Sequence, residues 1–481
     1  MMKTIGKWIV LPLWLLIGST VSMASEPQTF TQQETGAFTG FAKTVDWSTI
    51  TTLDLETAVA IALTDNPGLQ AAAARVRQAK AQVDQARATY WPWLDANASG
   101  SRIKLSENAY EQNLAAARLF DINAAIEDPE AYYSADLTAY WTLFDGFERK
   151  FTNALAQYGE ESSRASLNDA RRLLISAVSF AYYSAQLASA NIAIAMADEE
   201  FNQRQLADAE ARQRVGTGAL SDVLNFQVRK NQAKTLRINQ EYEYEITLYG
   251  LSALMGLSES RLPDHVALAK LSPQTNPDIH LPTVDEMIAA TMKNRPDIQQ
   301  AQLLIKQSEA RIKVAQSGYY PTIAISGSIG GERIDDPAFE QDDFGNSLQI
   351  GLTYNLFAGG LTRARVKEVE HVKEEGERRL QELITSATSE VRSAVALVKT
   401  AQTQVALQRE NVDLVKRTRD LVEKEYNAGQ ASLVRLNEAQ RDLTTAQSNL
   451  ALALVGLRQA WVELETRTGN ILQTYDASNF Q

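Results

Sequence analysis

The side chains that most often carry out catalysis are scarce in this chain and far apart. Its three histidines, His265, His280 and His371, belong to no HExxH or His-x-x-x-His pattern, which argues against a zinc site. The sequence has no Cys, so thiolate nucleophiles, thiolate metal sites and disulfides are excluded. It also has no GxSxG or Walker pattern. We therefore expect a protein that is not an enzyme and that uses no metal or cofactor.

Glycines and acidic residues supply the remaining candidates, and simpler explanations exist for them. Gly216 and Gly218 lack the rest of a phosphate-binding fingerprint, and a left-handed helix cap accounts for glycine at a helix end. The acidic pairs at 335–336 and 342–343 indicate a solvated loop rather than a calcium site. The net charge of −12 argues against a nucleic-acid partner, because phosphate binding needs clustered positive charge.

The N-terminus has the order of features found in secretory signals. Two lysines precede an apolar run over residues 8–18, and small residues stand at 22 and 24. We expect a signal peptide, 1–24, and an N-terminal extension, 25–52. No later run of about 18 uninterrupted apolar residues predicts a membrane helix. The mature chain, which also lacks a Cys for lipid anchoring, is therefore expected to enter a membrane only as strands.

The chain reads as two copies of one unit, because turn and aromatic residues recur at constant offsets. The matching pairs are Pro67 and Pro296 and Pro92 and Pro321, 229 residues apart, then Phe144 and Phe357, Gly216 and Gly429, and Gly256 and Gly469, 213 apart. The first copy is thus 16 residues longer between Pro92 and Phe144. Because insertions collect at exposed tips, we expect a solvent-facing loop over 105–133.

The predicted segments follow the same order in both copies. The first copy, 53–256, has a helix, a strand at 93–103, the loop 105–133, a strand at 135–144, a long helix at 147–215 and a helix at 220–255. The second, 284–469, has a helix, a strand at 322–329, a loop, a strand at 347–357, a long helix at 361–428 and a helix at 432–468. A Pro-rich linker, 257–283, joins the copies, and a tail, 470–481, follows.

The strands alternate apolar and polar residues and end in aromatic residues. Leu94 and Ala96 alternate with Asp95 and Asn97, for example. The aromatic residues resemble membrane-interface girdles and are Tyr90, Trp91, Trp93, Trp141, Phe144, Tyr319, Tyr320, Tyr354 and Phe357. Alternation alone favours a soluble sheet with one wet face, but export and the aromatic residues favour a membrane barrel. Four strands cannot close a barrel, and open edges are not tolerated in lipid, so at least two chains are needed.

The long helices set the shape of the rest. Each copy contains 69 residues without proline before Gly216 or Gly429, with apolar residues at steps of three and four. Such a helix is about 100 Å long and needs coiled-coil partners along its length. We expect an α+β membrane protein in which a long antiparallel helical coiled-coil barrel extends from an oligomeric transmembrane β-barrel.

These repeated motifs resemble the TolC family of outer-membrane efflux proteins. The Asn66-Pro67 helix start, the two Leu-Phe-x-Gly strand ends and the two glycine turns recur in order, and the resemblance covers about Leu53 to Gly469. It implies a homotrimer in outer-membrane lipid of bacteria, with twelve strands, a periplasmic helical tunnel, a periplasmic adaptor (a membrane fusion protein) and an inner-membrane pump. Tripartite efflux or type I secretion is therefore expected, with the substrate open: drug, metal ion, peptide or protein.

The resemblance also assigns roles near the two glycine turns. The adaptor-contacting tips are Val215, Gly216, Thr217 and Gly429. The periplasmic gate is assigned to Ser221, Asp222, Tyr426, Arg435 and Glu438. In the family a tyrosine at the place of Tyr426 hydrogen-bonds the aspartate at the place of Asp222, so the same contact is expected here in the closed state, and Tyr426→Phe is expected to raise conductance.

Two gate positions depart from the family pattern. Ala431 stands where the representative has Arg, and Arg435 stands where it has an acidic residue, although Glu438 keeps an acidic position. Arg435 is left with two candidate partners, Asp222 and Glu438. Without the resemblance, these charges would simply read as solvated residues on helix surfaces.

Two other classes of protein remain possible from the sequence. One is a secreted or periplasmic structural coiled-coil scaffold or adhesin without a pore, whose strands form a soluble cap. The other is a periplasmic adaptor, which is expected to have one helical hairpin and no girdled strands. The duplicated helix lengths and the strand alternation disfavour both.

Overall fold

The computed structural model describes residues 47–126, 128–272 and 281–475. The predicted signal peptide, most of the extension 25–52, part of the linker and the last six residues lie outside this range. The helices are α1 (Leu55–Asp65), α2 (Pro67–Ala88), α3 (Glu107–Arg118), α4 (Glu148–Arg214), α5 (Leu220–Leu254), α6 (Val284–Asn294), α7 (Pro296–Ser317), α8 (Leu361–Asn427), α9 (Leu433–Thr468) and α10 (Ile471–Thr474). The strands are β1 (Thr52–Leu53), β2 (Trp93–Ile103), β3 (Glu130–Phe144), β4 (Ala267–Leu268), β5 (Thr322–Ile334) and β6 (Phe344–Thr353).

The first expected helix of each copy is in fact two helices. Asn66 ends α1, and its side chain accepts a hydrogen bond from Leu69 N at 3.0 Å, which caps the start of α2. Pro67 then occupies the first turn, where its missing N–H costs no helical hydrogen bond. Arg295 and Pro296 separate α6 from α7 in the same way, without a side-chain cap. At each of the two prolines, therefore, one helix ends and a second helix begins.

The helices of the two halves have matching lengths. α4 and α8 have 67 residues each, α2 and α7 have 22, and α1 and α6 have 11, while α5 and α9 have 35 and 36. α4 packs against α2, α5, α7 and α9, whereas α8 packs mainly against α7 and α9. By length and composition α4 contains a stretch that could cross a membrane. Ile175, Val178 and Tyr182 of that helix are nevertheless buried in a core with α1 and β4.

Four strands form one antiparallel sheet in the order β2-β3-β5-β6. The sheet extends further than expected at the end remote from α4 and α8, because β3 starts at Glu130 and β5 continues to Ile334. At this end Tyr132 pairs with Ile334. β6 ends at Thr353 rather than at 357. The loop 105–133 is not all loop, since α3 forms within it behind an N-cap at Ser106. Both edge strands, β2 and β6, are exposed along their whole length.

A buried ionic network joins the middle of the second half. Arg295, which is 3% exposed, bonds Asp297 and Glu390 at 2.7 Å each, and Arg467 bonds Glu390 at 3.2 Å. Burial acts to raise the pKa of Asp297 and of Glu390, but hydrogen bonds and charge from Arg295 outweigh it and hold both pKa values below their usual range. The network links α7, α8 and α9.

We expect Arg295→Gln to cost about 3 kcal/mol near neutral pH, because it leaves two partly buried carboxylates without their main cation. Groups whose folded-state pKa is lowered stabilise above their ordinary pKa, and this stabilisation is lost as the pH falls through the folded value. The difference between wild type and variant should therefore shrink below about pH 4. Thermal unfolding in detergent from pH 7 to pH 3 measures this difference in stability between wild type and variant. Arg261→Gln, which removes the exposed Arg261–Asp264 pair, is the control, and an equal effect of both variants would contradict this account.

Candidate functional site

The four-stranded sheet has one polar and one apolar face, set by its register. On the polar face, Asn97 donates to Asp136 across β2 and β3 at 3.0 Å, and the hydroxyls of Ser328 and Ser347 lie 2.8 Å apart across β5 and β6. The opposite face carries large apolar side chains that are 42–79% exposed: Leu94, Leu137, Ile329, Leu348 and Ile350. A polar and an apolar surface on opposite sides of one sheet is the pattern of a barrel wall between water and lipid.

All nine predicted girdle residues lie at one end of the sheet, where it meets the helices. Trp91 and Phe357 there are 73% and 86% exposed. Trp141 Nε1 donates to the carbonyl of Tyr90 at 2.9 Å, and the guanidinium of Arg149 lies 5.3 Å from the Tyr90 ring centre. The aromatic residues of the opposite end were missed in the sequence, because β3 and β6 were predicted to start too late, at 135 and 347 rather than at Glu130 and Phe344. They include Tyr132, Tyr133 and Phe344.

The acidic pairs of the second strand loop surround an arginine. Arg333 bonds Glu340 at 3.0 Å and Asp343 at 3.1 Å, with Asp336 at 3.7 Å. Three of the loop carboxylates thus share one guanidinium, from the end of β5. Among the described residues, no group of three or more His, Cys, Asp or Glu side chains could hold a metal ion.

The two glycine turns form the end of the molecule remote from the sheet. We call 212–226, the turn between α4 and α5 with the adjoining helix ends, the first tip, and 425–438, the turn between α8 and α9 with the adjoining helix ends, the second tip. Gly216 and Gly429 adopt φ values of +81° and +72°, which favour glycine. In both turns, two backbone amides donate hydrogen bonds to the same carbonyl oxygen. Thr217 N and Gly218 N donate to Arg212 O at 2.9 and 3.0 Å. Gln430 N and Ala431 N donate to Glu425 O at 2.8 and 3.2 Å. The two tips therefore share one backbone geometry.

Tyr426 lies where the two tips meet, but its neighbours differ from those expected. The ring packs edge-on against Phe226, with ring centres 6.4 Å apart, and the guanidinium of Arg212 lies 5.4 Å from the centre of the Tyr426 ring. Within the described residues no hydrogen bond joins Tyr426 to Asp222. Burial raises the pKa of Tyr426, and the negative charge of Asp222 raises it further, so the carboxylate is nearby without a direct contact.

The other predicted gate residues occupy separate surroundings. Arg435 pairs with Glu425 at 3.2 Å, rather than with either of the two partners considered from the sequence. The hydroxyl of Ser221 lies 3.4 Å from Asp222 Oδ1, and Glu438 is exposed on α9. The adaptor-tip residues Val215, Gly216, Thr217 and Gly429 are all exposed.

Three contacts between the tips were missed in the sequence analysis. Arg212 Nη2 donates to Asn427 Oδ1 at 2.9 Å, and Asn437 donates to Asn225 at 2.9 Å. The third contact is the edge-on packing of Phe226, which is completely buried, against the Tyr426 ring. Aligning the two glycine turns would have placed Arg212 opposite Glu425 in the repeat, but only the packing of α4 beside α8 shows what Arg212 touches.

Comparison with known proteins identifies the family. The model of the outer membrane efflux protein family matches residues 58–257 and 287–470. The toluene efflux pump outer membrane protein TtgI of Pseudomonas putida is 27% identical over 393 residues, covering 81% of this chain and 79% of the relative. Outer membrane protein OprJ of Pseudomonas aeruginosa is 28% identical over 407 residues, covering 83% and 80%. The crystal structure of the Campylobacter jejuni CmeC outer membrane channel superposes with a TM-score of 0.71 at 19% identity, covering 89% of this chain and 90% of that one.

The chain therefore belongs to the outer membrane efflux protein family. This confirms the family predicted from the duplicated motifs. The similarity to CmeC extends the agreement to the fold, which combines long helices with an antiparallel sheet.

Proposed function

We propose that this protein is the outer-membrane channel of a tripartite efflux or type I secretion system, and that it conducts substrates passively to the cell exterior. The observation that carries the proposal is the sheet with one polar and one apolar face, attached to helices about 100 Å long. In a soluble scaffold or adhesin this apolar face would be exposed to water, which is unfavourable. A periplasmic adaptor and an inner-membrane pump are the proposed partners, and the substrate is left open.

The barrel is proposed to be closed by three chains. β2 and β6 present open edges, and an unpaired edge is unstable in lipid. Three copies supply twelve strands, an even number within the known range of about 8 to 26 for bacterial barrels. β2 of one copy would pair with β6 of the next, which continues the alternation of polar and apolar faces around the ring.

The helices support the same threefold closure. α4 has four helical neighbours, whereas α8 packs mainly against two. α8 exposes a stripe of leucines, and α5, which pairs with α4 in the other helical hairpin, exposes a second apolar stripe. The stripes are Leu397, Leu407, Leu414 and Leu421 on α8, and Leu224, Val228, Ile238, Tyr242 and Ile246 on α5. Contact between α8 of one copy and α5 of the next would bury both stripes and close a helical barrel.

The domain assignments follow from this arrangement. Residues 1–24 are proposed to be a signal peptide, and 53–256 and 284–469 to be duplicated repeats joined by a linker at mid-height. The nine aromatic residues at the helix end of the sheet mark the periplasmic membrane interface. The two tips then lie deepest in the periplasm, where Val215, Gly216, Thr217 and Gly429 are available to an adaptor, and the nearby Ser221, Asp222, Tyr426, Arg435 and Glu438 form the gate region.

Single-channel recording of the detergent-purified protein in a planar bilayer tests the proposal. We expect discrete conductance steps from a species that crosslinks as a trimer. The steps should be small, because we propose that the contacts between the tips of each chain keep the periplasmic end nearly closed. A protein that stays soluble without detergent and never inserts would contradict the channel function and support the scaffold.

A further inference from the structure

The two tips have the same backbone but opposite charges at matching places. Counted from the glycine, Arg212 stands four residues before Gly216 and Glu425 stands four before Gly429. Asp222 and Arg435 each stand six residues after their glycine. The amide hydrogen bonds and the φ values of the glycines agree in the two turns, so the matching positions lie at equivalent points of the backbone.

The second tip uses its pair and the first tip does not. Glu425 and Arg435 form an ion pair across the second tip at 3.2 Å. The equivalent pair in the first tip, Arg212 and Asp222, has acid and base exchanged, and the same backbone places the two side chains within the same reach. Arg212 is instead turned to the second tip, where it bonds Asn427 and stacks on Tyr426.

We propose that Arg212 is the switch of the periplasmic gate, contacting Asn427 and Tyr426 while the tips are together and pairing with Asp222 of its own tip when they separate. The proposal rests on the channel function proposed above. In the joined state the guanidinium ties the ends of α4 and α8. In the separated state the intra-tip pair seen at Glu425 and Arg435 is formed in the first tip as well. The arginine thus has a partner in each state, which gives two discrete arrangements.

The geometry of the first tip lets the side chain move while its base stays fixed. Arg212 O accepts bonds from Thr217 N, Gly218 N and the Thr217 hydroxyl at 2.9, 3.0 and 3.2 Å. A Cβ added to Gly218 would lie 2.8 Å from Arg212 Cβ, so this glycine allows the turn to close tightly on Arg212. The exchange then needs only rotation about side-chain bonds.

Two substitutions separate the states, and we expect them to act in opposite directions. Asn427→Ala removes a partner of the joined state and should raise the ratio of open to closed dwell times about three- to tenfold, the effect of one partly exposed charge-assisted hydrogen bond. Asp222→Asn removes the partner of the separated state and should lower this ratio by a similar factor. Arg214→Gln, which removes one positive charge at an exposed residue two positions from Arg212, is the control and should change the ratio less than about twofold.

Single-channel recording of the full-length trimer in planar bilayers measures these ratios, and crosslinking confirms that each variant is assembled. A rise in the ratio with Asp222→Asn would overturn the proposal, because it would place Asp222 in the closed state, as a hydrogen bond from Tyr426 requires. No change with Asn427→Ala would also overturn it. If the wild-type protein forms no channels, the proposed function itself fails. If it forms channels whose ratio of open to closed dwell times is unchanged by both substitutions, only the switch is refuted.

Discussion

Replacing Gly256 by Ala is expected to destabilise the folded chain strongly, although the change adds only one methyl group. The residue follows α5 with φ at +80°, a conformation that costs a residue with a Cβ about 1–2 kcal/mol. The added Cβ would also lie 2.4 Å from Asp65 O and 2.7 Å from Asp65 C. These atoms are backbone at the break between α1 and α2, so a rotamer change cannot relieve the contact. We expect a total cost above about 3 kcal/mol.

The second half offers a milder copy of the same test and two controls. A Cβ on Gly469, which has φ +78°, would lie 2.9 Å from Asn294 O, so Gly469→Ala should destabilise less than Gly256→Ala. Gly216 and Gly429 share the left-handed conformation but have nothing within 4 Å of the added Cβ. Their Ala variants should lose only about 1–2 kcal/mol. Thermal unfolding in detergent orders the four variants, and equal losses in all four would refute the steric argument.

Much of this architecture follows from local sequence signals. Pro67 and Pro296 mark helix starts, because proline suits the first turn. The long proline-free segments predict α4 and α8, and Gly216 and Gly429 predict where those helices end. The family follows from the recurrence of these signals in the same order. Each depends on a residue and its chain neighbours, which is why sequence reasoning reaches them.

What the sequence could not supply depends on contacts between distant segments. The alternation of β3 predicts a strand, but its pairing with β5, which extends both strands to Tyr132 and Ile334, is a property of the assembled sheet. The charge of Arg435 is plain in the sequence, yet its choice of Glu425 depends on the width of the turn. Arg212 reads as an ordinary surface arginine until α8 is placed beside α4 and brings Tyr426 to it.

Replacing Leu414 by Glu is expected to leave the chain folded but monomeric. Leu414 is 52% exposed in the single chain and lies midway between Leu407 and Leu421, which are seven residues away on either side, so the three share one seam of α8. In the proposed trimer this seam is buried against α5 of the next copy. A carboxylate placed there must be desolvated without a partner, at a cost of several kcal/mol, and threefold symmetry repeats the cost at each of three interfaces.

Crosslinking of the detergent-solubilised protein, with circular dichroism for helix content, separates loss of assembly from loss of folding. Leu414→Glu should retain its helices and lose the trimer, and Ile238→Glu on the facing stripe of α5 should do the same. Leu119→Glu is the control: this leucine is 84% exposed at the end of α3, away from both stripes, and its variant should remain trimeric. Trimers from both stripe variants would show that α8 and α5 do not meet between copies. A monomer from either stripe variant, beside a trimeric control, would place the subunit boundary at that stripe, because only a side chain buried between copies makes a new carboxylate costly to assembly.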